Sequence, residues 1–156
     1  MTQGRAISWL LAVLMGLSLA LGGCAFRGER IGLDSLALDV AERANDDTPI
    51  AVDFVAVHDP DLLKLLSEIP ARQWFAERGQ YERDYRKLFS VWRLELVPGQ
   101  FRDVRDFPFA GDEAAGLLVF AGYNTPGAHR LRLNESGRVW LRFDSREMRL
   151  LTGRER

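Results

Sequence analysis

Apolar and polar residues alternate along most of the chain after residue 34, and this pattern predicts short β-strands. Leu36, Leu38 and Val40 alternate with smaller or polar residues, as in a strand with one buried face. Short strands separated by turn-forming residues are typical of a β-sandwich, so we expect a mainly β fold of seven to eight strands. The further strand-like stretches are 50–57, 91–97, 101–109, 116–123, 128–133, 138–143 and 147–151.

Two of these stretches, IAVDFVAV (50–57) and GLLVFAGY (116–123), are almost wholly apolar. Such runs are typical of strands that are covered on both faces. Asp53 is the exception and indicates that one face of its strand meets solvent or a polar partner. Pro108 weakens the stretch 101–109 and favours an edge position or a strand end there.

Between the second and third strands the apolar spacing changes to three or four residues and predicts helices. Asp59 is the expected N-cap and Pro60 the first helical residue. A second helix is expected to begin at Pro70 and to end at Gly79, with similar spacing continuing beyond it. We therefore expect a helical insertion at about 59–89, whose charged face is either solvated and laced with ion pairs or a dedicated binding surface.

The N-terminal stretch has a different pattern, in which an uncharged run, Ile7 to Leu21, follows Arg5 and leads into Gly22-Gly23-Cys24. A positive start, an apolar run and small residues before a cysteine indicate a bacterial lipoprotein signal peptide with a lipobox. The run is short for a membrane span, which takes roughly 20 apolar residues. We expect residues 1–23 to be cleaved off; the alternative is an uncleaved anchor helix with an incidental cysteine.

Cys24 is the only cysteine in the chain, so it has no partner for a disulfide or a metal site. Its expected role is to carry a diacylglycerol on the thiol and a further acyl chain, such as palmitate, on the freed amine. Two or more chains give stable membrane attachment. Ala25 follows, where an Asp would favour inner-membrane retention, so we expect the outer membrane and its periplasmic face. Residues 24–34 would then form a lipidated tether to a domain at 35–156.

Composition narrows the functional classes. Removing the first 23 of the 156 residues leaves 133, the size of one ordinary domain, with 20 basic against 22 acidic side chains. This balance indicates neither a nucleic-acid partner nor attraction to an anionic membrane surface. The hydrophobic fraction of 47% is sufficient for a packed core.

The sequence offers little for catalysis or metal binding. The two histidines, His58 and His129, have no free cysteine to join them in a zinc site, and we expect structural or surface roles for both. The chain contains no Gly-x-Ser-x-Gly, His-Glu-x-x-His or phosphate-loop motif. We therefore expect no enzymatic activity, and neither a metal nor a cofactor beyond the covalent lipid on Cys24.

Several features together resemble the TssJ (VasD/SciN) lipoproteins of type VI secretion. They are the lipobox, the strand ending in Ala44-Asn45, the Pro49-led strand IAVDFVAV, the turn Val97-Pro98-Gly99 and the run GLLVFAGY. The resemblance implies a transthyretin-like β-sandwich with added helices on an outer-membrane lipoprotein. It also implies a scaffold role, through binding of the periplasmic C-terminal part of the inner-membrane protein TssM.

In that family the loop between the first two strands contributes to partner binding. The resemblance maps this role onto Asn45, Asp46, Asp47 and Thr48. The alternative for these residues is a plain β-turn.

A second functional hypothesis is an envelope lipoprotein that binds cell-wall glycan or a small periplasmic ligand. Exposed aromatic side chains among Trp74, Tyr81 and Tyr85 would supply the contacts. Their helical spacing is equally that of side chains packed onto a sheet.

Overall fold

The computed structural model of the chain describes residues 28–151, where strands flank one pair of helices. The helices are α1 (Pro60–Leu66) and α2 (Ala71–Asp84). The ten strands of this part of the chain are β1 (Glu29–Arg30), β2 (Leu33–Val40), β3 (Ile50–Val57), β4 (Phe89–Leu96), β5 (Phe101–Val104), β6 (Glu113–Ala114), β7 (Gly116–Ala121), β8 (Arg130–Leu133), β9 (Gly137–Phe143) and β10 (Met148–Leu151).

Eight of these strands form two four-stranded sheets. One sheet has the order β10-β9-β2-β5 and the other the order β4-β3-β7-β8. Neighbouring strands are antiparallel except β2 and β9, which run parallel with Leu38 beside Leu141. The two-residue strands β1 and β6 pair as a separate ribbon. A mainly β-sandwich with a helical insertion is thus confirmed, and the ribbon raises the strand count from the expected seven or eight to ten.

The main core lies between the two sheets. Alternate residues of β2, including Leu36 and Leu38, meet Val52 and Phe54 of β3 and other buried side chains. Phe54 lies against Trp92 and Phe107, with ring centroids 5.2 and 5.7 Å apart. Each large apolar side chain removed from water contributes about 1.5–3 kcal/mol, so the alternation seen in the sequence holds the sheets face to face.

A second core lies between the β4-β3-β7-β8 sheet and the helices. Val55 and Phe120 point to this side and pack with Leu62, Leu66 and Trp74. Strands β3 and β7 are therefore covered on both faces, as their apolar runs predict. Within residues 28–151 neither helix has the length and apolarity needed to cross a bilayer.

The helical insertion begins as expected but ends differently. The Asp59 carboxylate accepts a hydrogen bond from the Leu62 N–H at 2.8 Å, and Pro60 is the first helical residue. The expectation that the second helix ends at Gly79 is wrong, because α2 continues to Asp84. Gly79 lacks the positive φ of a helix-ending glycine. A glycine inside a helix costs about 1 kcal/mol relative to alanine, and the packing of the helical residues before and after Gly79 offsets this cost. The insertion, expected at about 59–89, lies between β3 and β4, and β4 begins at Phe89.

Two further boundaries differ from the sequence prediction. β5 ends at Val104 rather than at 109, and the following residues form turns from which Phe107 and Phe109 insert into the core. Their alternation reflects burial without strand pairing, because Pro108 interrupts the backbone pattern. The expected tether at 24–34 overlaps the domain, since Glu29–Arg30 pair with β6 and Leu33 is buried.

Candidate functional site

Four loops lie together at one end of the sandwich: 41–49, 97–100, 122–129 and 144–147. The strand register places them there, because Val40 pairs with Phe143 and Ile50 with Leu96. β2 begins at the opposite end, where Leu33 lies beside Gly137. At about 3.3 Å per residue, the eight residues of β2 separate the two ends by roughly 26 Å. The predicted partner-binding residues therefore lie far from the point where the chain enters the domain.

The predicted site residues form an unusual turn. Asn45, Asp46 and Asp47 have φ angles of 52°, 55° and 58°, so three consecutive residues other than glycine adopt the left-handed conformation. Such residues cost on the order of 1 kcal/mol each and persist where the surroundings hold them. The loop 41–49 is not a hairpin turn, because β2 and β3 belong to different sheets and the loop crosses between them.

Asn45 is the residue that holds this turn. Its side chain is buried, and its Nδ2 donates to Thr48 Oγ1 at 2.9 Å and to the Pro49 carbonyl at 3.1 Å. Its Oδ1 accepts from the Asn124 N–H at 2.6 Å. Its own N–H donates to the Ser145 carbonyl at 2.9 Å. Asn45 therefore ties the loop 41–49 to two other loops and can act on a partner only through the shape of the turn.

The other three predicted residues are exposed. Asp47 pairs with Arg43 at 3.7 Å, an exposed contact that contributes little stability. Thr48 Oγ1 donates to the Asn45 carbonyl at 2.6 Å and accepts from Asn124 Nδ2 at 3.0 Å. Asp46 forms no ion pair within the described residues, so its carboxylate faces solvent.

The loops 122–129 and 144–147 are joined by a second set of hydrogen bonds. The Tyr123 hydroxyl donates to the carbonyls of Asp144 and Glu147 at 3.1 and 2.8 Å. Burial raises the pKa of Tyr123, with a further contribution from the Asp144 and Glu147 carboxylates, so the phenol stays neutral. Thr125 Oγ1 donates to the Arg146 carbonyl at 3.2 Å. The sequence marks Asn124-Thr125-Pro126-Gly127 only as a turn, because nothing local to it encodes these distant partners.

Both histidines hydrogen-bond within the fold. His58 Nδ1 lies 2.9 Å from the Glu113 carbonyl, and its Nε2 lies 3.2 Å from Ser90 Oγ. His129 Nε2 lies 2.8 Å from the Thr125 carbonyl. Across residues 28–151, no group of three or more His, Cys, Asp or Glu side chains is placed to hold a metal ion.

The aromatic side chains considered for glycan binding pack onto the sheet. Trp74 is fully buried, stacks on Phe120 at 4.9 Å between ring centroids and donates from Nε1 to Asp53 at 2.9 Å. Tyr81 stacks on Trp74 at 5.8 Å, and Tyr85 on Tyr81 at 6.3 Å. The use of Trp74 as an exposed glycan contact is therefore wrong. Cys24 lies outside the described residues, so its lipidation stays a prediction.

No family model and no curated protein matches the sequence. Solved structures nevertheless share the fold. Lip from Serratia marcescens, a membrane-bound component of the type VI secretion system, is 13% identical with a TM-score of 0.54, covering 76% of this chain and 96% of that one. The type VI secretion lipoprotein TssJ1 from Pseudomonas aeruginosa is 11% identical with a TM-score of 0.56, covering 79% and 96%.

A third similar chain belongs to a structure described as the type VI secretion TssM C-terminal domain from EAEC. It is 16% identical with a TM-score of 0.55, covering 76% of this chain and 96% of that one. Identities this low establish the fold alone. The chain thus has the TssJ-like β-sandwich fold that the sequence features suggest.

Proposed function

We propose that this chain is a lipoprotein of the TssJ family and a component of a type VI secretion membrane complex. Lipid on Cys24 would hold it at the periplasmic face of the outer membrane. The domain would bind the periplasmic C-terminal domain of a TssM-type inner-membrane protein, as a scaffold without catalytic chemistry. The observation that carries this proposal is the TssJ-like fold, which spans 96% of two solved type VI secretion lipoproteins, on a chain with a lipobox.

The geometry of the domain supports such a scaffold. The chain enters at one end of β2, and the loop 41–49 lies at the other end. A protein that links two membranes needs its attachment and its partner site on different surfaces. The central strand β2, paired with β5 and β9, connects these two ends directly.

The loop 41–49 also has the character of a binding element. Asp46 and Asp47 are exposed on a left-handed turn whose conformation is fixed from beneath by the buried Asn45. Backbone strain held by surrounding structure is common at functional sites, and a rigid exposed turn loses little entropy when it binds.

Calorimetry tests the proposal. The full chain, purified in detergent, is titrated with the periplasmic C-terminal fragment of the TssM-type protein encoded in the same secretion cluster. We expect a one-to-one complex. Absence of heat and of a complex at micromolar concentration would contradict the proposed function.

A further inference from the structure

The predicted loop is too small to form a stable protein interface alone. A standard interface buries about 800 Å² on each partner and involves roughly 20–30 residues a side. Asn45 is buried, so the predicted four-residue site offers three exposed side chains, Asp46, Asp47 and Thr48. The loops 41–49, 97–100, 122–129 and 144–147 together contain roughly 22 residues that are at least partly exposed, which matches the expected size.

These loops form one continuous, cross-linked surface, in which the loop 41–49 contacts each of the others. Gly99 donates its N–H to the Ala41 carbonyl at 3.0 Å. Asn124 bonds Asn45 and Thr48, and the Asn45 N–H bonds Ser145. A partner that contacts Asp46 therefore meets the neighbouring loops at fixed positions.

The surface carries more negative than positive charge. It contains the carboxylates of Glu42, Asp46, Asp47, Asp144 and Glu147, and the guanidinium groups of Arg43 and Arg146. Arg142 and Arg149, on the adjoining strands, engage Asp144, and Arg43 engages Asp47. Glu42, Asp46 and Glu147 form no ion pair within residues 28–151, which leaves their charges available to a partner.

Apolar contact area is present beside these charges. Val97, in the loop 97–100, is 48% exposed, and Phe101, the first residue of β5, is 55% exposed. Protein interfaces combine an apolar centre with a polar rim. Val97 and Phe101 supply apolar side chains, so the four-loop face has both kinds of contact that an interface needs.

We propose that the partner-binding surface is this four-loop face and that it recognises a partner face with an excess of Lys and Arg. This inference rests on the proposed function and extends its site beyond Asn45–Thr48. Opposite charges across an interface mainly raise the association rate and select the partner. Asn124 acts as a positioning residue, since its two hydrogen bonds fix the turn that presents Asp46.

The test reverses the charge of two exposed side chains outside the predicted loop. One substitution makes the surface more positive and the other makes it more negative. Glu147→Lys is expected to weaken binding of the TssM-type fragment about fivefold, while Arg146→Glu is expected to strengthen it severalfold. Damage to the fold would weaken binding in both variants, so the opposite signs report charge. The matched controls are Glu135→Lys, in the β8–β9 turn at the far end, and Arg105→Glu beyond β5; both are expected to bind like wild type.

The outcomes separate this inference from the proposed function. If wild type binds but Glu147→Lys binds no more weakly than Glu135→Lys, the four-loop surface is wrong and the scaffold function stands. Weaker binding by Arg146→Glu would also overturn the inference. If wild type itself does not bind, both proposals fail.

Discussion

Asn45 has a costly backbone conformation, and both its side-chain nitrogen and its side-chain oxygen form hydrogen bonds. Removing the amide breaks three hydrogen bonds, to Thr48, Pro49 and Asn124, and each contributes about 1 kcal/mol net. We therefore expect Asn45→Ala to lower the free energy of unfolding by about 3 kcal/mol. Asn45→Gly should cost about 1 kcal/mol less, because glycine adopts positive φ readily.

Urea denaturation of the variants measures this difference. Asp46→Gly is the matched control, since Asp46 has the same backbone conformation but an exposed side chain. It should leave stability unchanged or raise it by up to about 1 kcal/mol. If Asn45→Ala is no more destabilising than Asp46→Gly, the Asn45 hydrogen bonds do not hold the turn.

Helix α2 is held to the sheet by a buried polar contact. Asp53 is buried in β3 and accepts from Trp74 Nε1 at 2.9 Å and from Arg78 at 3.0 Å, so it fixes the helix to the sheet. Asp53→Ala leaves Arg78 and the buried indole N–H without their acceptor. Because Arg78 is partly exposed, we expect a loss of about 3 kcal/mol, at the low end for a broken buried pair.

The matched control is the exposed ion pair between Arg93 and Glu82, which also links α2 to the sheet. Glu82→Ala should change stability by less than about 1 kcal/mol. Thermal unfolding followed by tryptophan fluorescence checks both variants. Equal losses for the two substitutions would show that the buried contact contributes no more than the surface pair.

At the element level, the sequence predicts what depends on local pattern. Alternation and the two apolar runs locate the eight longer strands, and Asp59-Pro60 locates the start of α1. It does not show that β2 pairs with β9, or that Glu29–Arg30 pair with residues 113–114, since those partners lie about 80 to 100 residues away. The end of α2 is hidden for a related reason: packing of Trp74 and Arg78 on β3 carries the helix past Gly79.

At the candidate site, too, the sequence predicts the features that depend on local pattern and not those that depend on distant partners. The Asn-Asp-Asp-Thr-Pro run marks a turn, and family resemblance adds a role in binding. The roles within the turn differ, however: Asn45 is an internal support and Asp46 a surface group, and burial alone distinguishes them. The contributions of Asn124 and Ser145 come from loops about 80 and 100 residues further along the chain, so no local pattern predicts them.

For the whole molecule, the proposed function requires attachment at one end and binding at the other. From Cys24 to Gly28 the chain can span at most about 14 Å, and β2 adds roughly 26 Å. Not counting residues 28–33, the four-loop face would therefore reach up to about 40 Å from the lipid attachment point. That distance has a role only if Cys24 carries the lipid.

Cys24→Ser tests this attachment. Serine has no thiol for a diacylglycerol, so we expect no labelling by radioactive palmitate and a precursor that no longer fractionates with the outer membrane. The matched control, Ala25→Ser, places serine one residue later, keeps Cys24 and should be labelled like wild type. The fold at 28–151 begins after both positions, so each purified variant should bind the partner fragment with unchanged affinity. Palmitate labelling that persists in Cys24→Ser would contradict lipidation at Cys24. The four-loop surface would then need another route to the membrane.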